Sequence, residues 1–472
     1  MIGVAACMLM ALAVTPSVDG ARPLRTAIAY TGLESVTSDR AAAYSRVRAT
    51  GASAFRLTLH WNAIAPERRP EAFDASNPND PAYRWDEADD QVRQVVAAGL
   101  DPVLAIYDAP SWARMSGSSA PRPGEMRDFA RAAAGRYSGR GALPRVRYWV
   151  SWLEPNLTPQ LQPQVDGKRP VAPARYRRMT NELAESVYSV RADNVVVAGG
   201  TAPFYDDNVK SLRWGPLSFM RELLCLSRTL KRKCSSPIRF DVWAHNPYTS
   251  GSPFRHAVFP DDVSLGDLPE MRRVLQAGVR SGRVISRNGP VQFWVTEFGW
   301  DTSPPDPEGV PLGLHARWTA EALHVMWQNG VSLVTWLSLR DEPMSTSYFQ
   351  SGLYFRGPKL DADRPKPALR AFRFPFVAYR EGTSVIVWGR TPTSDARSVV
   401  VEQSAGRGWR RLATLRASEN GIFRKKISSE SSADSFRARV ARDVSIPFSL
   451  RRPRERFFNP FGLPKLVEPR KG

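Results

Sequence analysis

The run Val146-Arg147-Tyr148-Trp149-Val150-Ser151-Trp152-Leu153-Glu154-Pro155-Asn156 opens as an apolar, aromatic-rich segment and closes on a polar turn that carries a glutamate. Residues of this kind suit a strand buried on both faces, as in a parallel sheet covered by helices. The strand is predicted over Val146–Trp152, and seven similar segments accompany it. They are Thr26–Thr31, Ala54–Trp61, Pro102–Tyr107, Asn194–Gly199, Phe240–His245, Val291–Thr296 and Ser332–Leu337. Helical stretches lie between them. Trp85 to Ala98 has Asp86, Glu87 and Asp89 near its start and Gly99 at its close, which are helix start and stop signals. Ala172 to Arg191 follows prolines, and Leu312 to Gln328 ends at Asn329-Gly330. Eight strands alternating with helices predict an α/β fold, a closed (β/α)8 TIM barrel, rather than an open doubly wound sheet. No Gly-rich phosphate fingerprint follows the first strand, which argues against a dinucleotide site.

The pattern changes after Pro375. Short alternating segments follow at Ser384–Trp388, Ser398–Glu402, Trp409–Leu415, Gly421–Ile427 and Phe436–Val440, separated by turn residues. They predict a small all-β, sandwich-like domain over 376–446, behind a barrel over 21–375. The chain's 472 residues fit a barrel with an accessory module. A basic tail over 447–472, without regular structure, completes it. No apolar run inside the body reaches the roughly 18 residues that span a bilayer.

Val4 to Val14 is nearly all apolar, Pro16 breaks it, and Val18-Asp19-Gly20 offers small residues for a signal peptidase. A secretory signal is expected over residues 1–20, although the usual positive start is missing; a buried first helix or strand is the alternative. The expected location is secreted or extracellular. Of three cysteines, Cys7 lies in this segment. Cys225 and Cys234 either form a disulfide closing a small loop in an exported protein or stay as two thiols. Neither has a neighbour at metal-ligand spacing, so no metal is expected.

The formal net charge of +20 raises nucleic acid as a partner. The excess is spread along the chain and is mostly arginine, so nucleic acid is not the expected partner. One concentrated patch is Leu450-Arg451-Arg452-Pro453-Arg454-Glu455-Arg456. It is either a solvated tail or a means of cell-surface association through anionic groups. Nothing in the sequence sets an oligomeric state.

In a parallel barrel the functional residues sit at the C-terminal strand ends. Those ends read Arg56 to His60 and Trp61, Tyr107-Asp108 to Trp112, Glu154-Pro155-Asn156, His245-Asn246-Pro247-Tyr248, Glu297-Phe298-Gly299-Trp300, and Trp336. Two glutamates and many aromatics converge on one rim. Sugar rings stack on aromatic faces and present hydroxyls to polar groups, so a carbohydrate substrate is expected. Paired carboxylates cleave glycosidic bonds, one as acid and one as nucleophile or base.

Over residues 26 to 375 the sequence resembles glycoside hydrolase clan A, near the cellulase-like family 5 and the xylosidase-like family 39. The resemblance implies Glu154 as acid/base after strand 4 and Glu297 as nucleophile after strand 7, in a retaining enzyme without a cofactor. It implies that Arg56 and Tyr248 hold Glu297 and that Trp336 floors the central sugar subsite. Gly352-Leu353-Tyr354 and Lys366-Pro367-Ala368 resemble the segment closing such barrels.

Two positions depart from the clan pattern. Leu153 stands where the clan has an asparagine that contacts the sugar 2-hydroxyl, and Asn246 stands where many relatives have histidine beside a Pro-Tyr pair. The sugar therefore does not carry over. Asn156, His245 and Asn246 join the substrate-binding candidates. Trp61, Trp112 and Trp300 either stack on sugar or pack the loops. His60 faces the same way as Arg56 by strand alternation, and either lines the site or is a bonded core histidine. Arg56 itself has a structural alternative. The rival functions are a non-catalytic carbohydrate-binding protein on a hydrolase-like barrel, motivated by Leu153 and Asn246, and a surface-anchoring or nucleic-acid-binding protein using the tail.

Overall fold

The computed structural model describes residues 22–32, 39–212, 214–345, 349–393, 398–429 and 434–458. The expected signal over 1–20 and the end of the expected tail, 459–472, lie outside the described residues.

Eight parallel strands close into a barrel: β1 (Arg25–Ile28), β2 (Ala54–His60), β3 (Asp101–Tyr107), β4 (Tyr148–Ser151), β5 (Val195–Thr201), β6 (Val242–His245), β7 (Gln292–Val295) and β8 (Val331–Trp336). The last strand closes on the first, with Arg25 beside Leu333 and Ile28 beside Trp336. The predicted strands are all present. The strand expected over Val146–Trp152 is shorter because Trp152, at φ 66°, has already turned out of it.

Helices cover the outside: α1 (Arg40–Ala49), α2 (Asp86–Ala97), α3 (Pro123–Arg136), α4 (Ala172–Val190), α5 (Pro216–Leu223), α6 (Leu268–Arg280), α7 (Leu312–Gln328) and α8 (Pro367–Arg373). In α2 the buried positions are Ala88, Asp89, Val92 and Val95, one face at helical spacing. The buried Asp89 is answered by Arg136 at 2.6 Å and by the Tyr137 hydroxyl at 3.0 Å.

Alternation sorts each strand between two cores. Ala27, Ala54, Val103, Ala105, Val150, Val195, Val197, Val242, Ala244, Trp294 and Leu333 fill the barrel interior. Their neighbours Ile28, Phe55, Leu104, Trp149, Val196, Trp243, Val295 and Val334 face the helices. Close strand approach demands glycine at Gly199, where a Cβ would lie 2.4 Å from the Ala244 carbonyl oxygen.

The C-terminal domain is two antiparallel sheets. One has β9 (Phe376–Glu381), β10 (Ser384–Arg390) and β13 (Ile422–Ser428); the other is built on β11 (Ser398–Ala405), β12 (Gly408–Arg416) and β14 (Ser435–Val440). Its core is continuous with the helical layer of the barrel. Trp388 of β10 packs on Trp327 and His324 of α7, with ring centroids 5.5 and 4.9 Å apart. Arg390 is buried at this joint and donates to the carbonyl oxygens of Leu24 and Phe372, both at 3.0 Å.

Among the described residues the chain beyond β14 has no regular strand or helix after Ser449, but as far as Phe458 it is seated on the barrel. The Phe458 amide donates to the Ser250 carbonyl oxygen at 2.8 Å, and its ring meets Trp318 at 5.6 Å. Arg255 lies 4.2 Å over the Phe457 ring. Two adjacent phenylalanines give the basic segment an anchor that its charge concealed. Cys225 and Cys234 are joined by a disulfide, with Cα atoms 5.1 Å apart.

Candidate active site

Glu154 sits in the turn that leaves β4. Trp152 and Glu154 take positive φ values of 66° and 39°. Non-glycine residues hold such angles only where surroundings enforce them, commonly at functional sites. Here the Trp152 indole donates to the Gln160 carbonyl oxygen at 2.8 Å, and its ring packs on Tyr107 at 5.1 Å. Asn156 locks the far side of the turn. Its Oδ1 accepts from the Ala202 amide at 2.8 Å and its Nδ2 donates to the Ala202 carbonyl oxygen at 3.2 Å. Fully buried, it clamps the turn to the end of β5 and presents nothing to a ligand, which corrects its expected role in substrate binding.

Glu297 follows β7. Arg56 Nη2 reaches its Oε1 at 2.6 Å, and the Tyr248 hydroxyl donates to its Oε2 at 3.2 Å. Arg56 comes from inside β2, where alternation with Ala54 turns it toward the barrel axis. Burial opposes its charge, but Glu297 and the hydroxyls of Tyr30 and Tyr248 raise its pKa further. Burial and then the charges of Glu297 and Glu154 raise the Tyr248 phenol, which stays a neutral donor.

Glu154 has different company. Its Oε1 accepts one bond, from Asn246 Nδ2 at 3.0 Å, and no cation reaches it within ion-pair distance among the described residues. Burial chiefly, and then the charge of Glu297, push its pKa well above the ordinary carboxylate range; Asn246 and Arg56 pull it part of the way back. One carboxyl is thus held protonated beside another that is gripped by a guanidinium, the division that acid and nucleophile require.

Asn246 continues the inward register of Val242 and Ala244 on β6. The Thr296 hydroxyl donates to its Oδ1 at 2.8 Å, which turns its amino group toward Glu154. His245 is its outward neighbour and is fully buried. Its Nε2 lies 2.9 Å from the Val263 carbonyl oxygen and its Nδ1 lies 2.8 Å from the Thr201 hydroxyl. Burial lowers its pKa to about 4, so it is a neutral structural residue rather than the expected sugar contact.

Three expected sugar platforms have no accessible face, which stacking requires. Trp61 is buried and stacks on Phe129 of α3 at 4.6 Å and 9°. Trp300 is buried and its indole donates to the Gly251 carbonyl oxygen at 3.2 Å, bracing the loop after β6. Trp336 lies on the outward face of β8, against Phe372 at 5.9 Å and Phe298 at 6.1 Å, with its indole donating to Ser351 O at 2.8 Å. The next residue, Leu337, turns inward instead and packs with Ala29 and Tyr248. Leu153, beside Glu154, packs against the interior core, so both of these positions carry aliphatic side chains. Trp112 is half-buried; its indole donates to Pro66 O at 2.8 Å, and Arg69 lies 5.2 Å over its ring.

His60 is exposed at the rim, edge-on to Tyr107 at 6.3 Å. Tyr107 hydrogen-bonds the Gln160 side chain, and burial, Asp108 and Glu154 raise its pKa. Tyr30, Tyr107 and Thr296 are site residues that sequence reasoning passed over. Strand alternation at the ends of β3 and β7 was the signal for the last two.

No protein-family model matches the chain, and no curated protein matches it. Solved structures do. A family 39 glycoside hydrolase from Bacteroides cellulosilyticus WH2 is 16% identical, with 87% of this chain and 82% of that one covered and a TM-score of 0.54. GH5_18 from Streptomyces cattleya, solved with GlcNAc, is 17% identical over 75% and 79% of the two chains, at a TM-score of 0.48. A β-glucosidase from Thermotoga maritima, solved with deoxynojirimycin, is 12% identical over 74% and 95%, at 0.47. The chain shares the closed (β/α)8 barrel fold of that family 39 enzyme and carries a β domain at its C-terminus.

Proposed function

We propose that this chain is a retaining glycosidase that hydrolyses O-glycosidic bonds in an oligosaccharide or polysaccharide through a covalent glycosyl-enzyme. The observation that carries the proposal is the unequal company of the two carboxyls. Glu297 is held by Arg56 and Tyr248, whereas Glu154 is desolvated and meets only an amide. Glu297 attacks the anomeric carbon as Glu154 gives its proton to the departing glycosidic oxygen. Water then enters, yields a proton to the Glu154 carboxylate, and displaces Glu297 from the sugar. Each residue ends in its starting state, and no step draws on a cofactor. The disulfide between Cys225 and Cys234 supports export, because such bonds persist in oxidising compartments.

The test is turnover of a panel of aryl glycosides. Glu297→Ala should abolish it. Glu154→Ala should slow substrates with poor leaving groups by about 10²- to 10⁴-fold, the usual worth of general acid catalysis, and activated ones much less. Near-normal rates for Glu297→Ala would sink the proposal. The aliphatic side chains of Leu153 and Leu337 favour one rival, a carbohydrate-binding protein that does not hydrolyse. Glycan binding by the wild type without hydrolysis of any substrate would establish it.

A further inference from the structure

The loop that follows β6 leaves the site at Tyr248, and beyond Tyr248 it carries groups that the hydrolytic chemistry does not use. Tyr248, Ser250, His256 and Asp262 line one small cleft, and the Tyr248 hydroxyl also donates to Glu297 at 3.2 Å. His256 is exposed there. Its Nδ1 lies 2.8 Å from Asp267, so its other nitrogen is the one left for a ligand. Phe254, two residues earlier, exposes 49% of its surface. An exposed aromatic ring beside polar groups is a surface on which a sugar can stack.

The C-terminal segment then brings charge to the same loop. Phe457 and Phe458 fix it there through Arg255, Trp318 and the Ser250 carbonyl oxygen. Gly251 admits the crossing chain: a Cβ there would lie 3.3 Å from the Arg456 carbonyl oxygen and 2.6 Å from Arg255 Cδ. The anchoring leaves Arg451, Arg452, Arg454 and Arg456 exposed. The one acid among them, Glu455, turns to the loop and accepts from the Ser252 hydroxyl at 3.1 Å. A seated run of arginines differs from a free basic tail, because its backbone is held beside the loop at Glu455, Phe457 and Phe458.

We propose that the loop 250–256 and the segment 451–458 form one surface for an acidic glycan, with Phe254 stacking on a sugar ring and Arg454, Arg456 and His256 facing its anionic groups. This deepens the glycosidase proposal by naming the substrate class, and it rests on that proposal for the choice of a glycan over another polyanion. Arginine suits carboxylate and sulfate groups, which its planar fork can meet with two parallel bonds.

The experiment measures binding of the full chain to polygalacturonate, to neutral dextran and to a single-stranded DNA oligonucleotide of similar charge. Polygalacturonate should bind most tightly and weaken as salt rises. Arg454→Gln/Arg456→Gln should bind it roughly three- to tenfold more weakly, as expected for losing two exposed ion pairs. Phe254→Ala, which changes no charge, should also weaken it. Wild-type thermal melting in each variant shows that the fold is intact. Unchanged polygalacturonate binding in both variants, or equal binding of dextran, overturns the surface. Equally tight DNA binding overturns the glycan assignment. Aryl glycoside hydrolysis by the wild type separates the two proposals: hydrolysis without polygalacturonate binding refutes only the surface, and binding without hydrolysis refutes only the glycosidase.

Discussion

An amide can offer a carboxyl either a donor or an acceptor, and at Asn246 a single hydroxyl makes the choice. Thr296 donates to Oδ1, which leaves the amino group for Glu154. A donor on a carboxylate stabilises the charged form and lowers its pKa. Asn246→Ala should therefore raise the Glu154 pKa further and move the alkaline limb of the kcat/KM profile to higher pH. The loss of one such bond, about 1 kcal/mol, should also slow the reaction by several-fold. Thr296→Val should shift the limb the same way by less. A limb unmoved in Asn246→Ala would show that this amide does not tune the acid. Arg56 acts on the other carboxyl, and Arg56→Met leaves Glu297 with Tyr248 alone. Removing one member of a buried pair costs roughly 3–5 kcal/mol, and kcat/KM should fall by more than 100-fold, about 3 kcal/mol at tenfold per 1.4 kcal/mol.

Register within each strand accounts for what could and could not be read from the sequence. Apolar runs and helix signals were strong enough to show eight strands and the helices between them, because both faces of a barrel strand are buried. The glutamates were legible because a carboxylate at a strand end has few structural uses. The aromatic residues were not, since tryptophan packs the helical layer as readily as it stacks on sugar. Only the two-residue period separates Trp336, outward against Phe372, from Leu337, inward beside Tyr248. The same period separates His245 from Asn246. Trp336→Ala should act as a core deletion and cost roughly 3–5 kcal/mol, read as a drop in the denaturation midpoint. Wild-type stability in that variant would mean that the ring does not fill the layer between β8 and α8.

At the scale of the whole molecule, the β domain and the barrel share one apolar core, closed by Trp388 against α7 and by Arg390. Among the described residues Arg390 hydrogen-bonds no carboxylate; burial lowers its pKa to about 10, and three oxygens hold it. Its three partners come from before β1, from β1 and from the end of α8, so one side chain ties both ends of the barrel to the β domain. Arg390→Ala should leave these acceptors buried and unmet, at about 1–3 kcal/mol for each that water cannot reach. Calorimetry should show a lower melting temperature, and separate transitions for barrel and β domain if the joint opens. An unchanged single transition would contradict that role. The basic end of the chain, legible only as charge, owes its place to two phenylalanines that a composition reading does not weigh.

The proposed retaining mechanism requires a covalent bond between sugar and Glu297. The direct measurement is peptide mass spectrometry after exposure to a panel of activated 2-deoxy-2-fluoro glycosides, acidic sugars included, which slow release of the glycosyl-enzyme. One of them should add the mass of a fluoroglycosyl group to the peptide containing Glu297, with Glu154 unmodified. Turnover without such a label, or a label on any other residue, would contradict the assignment.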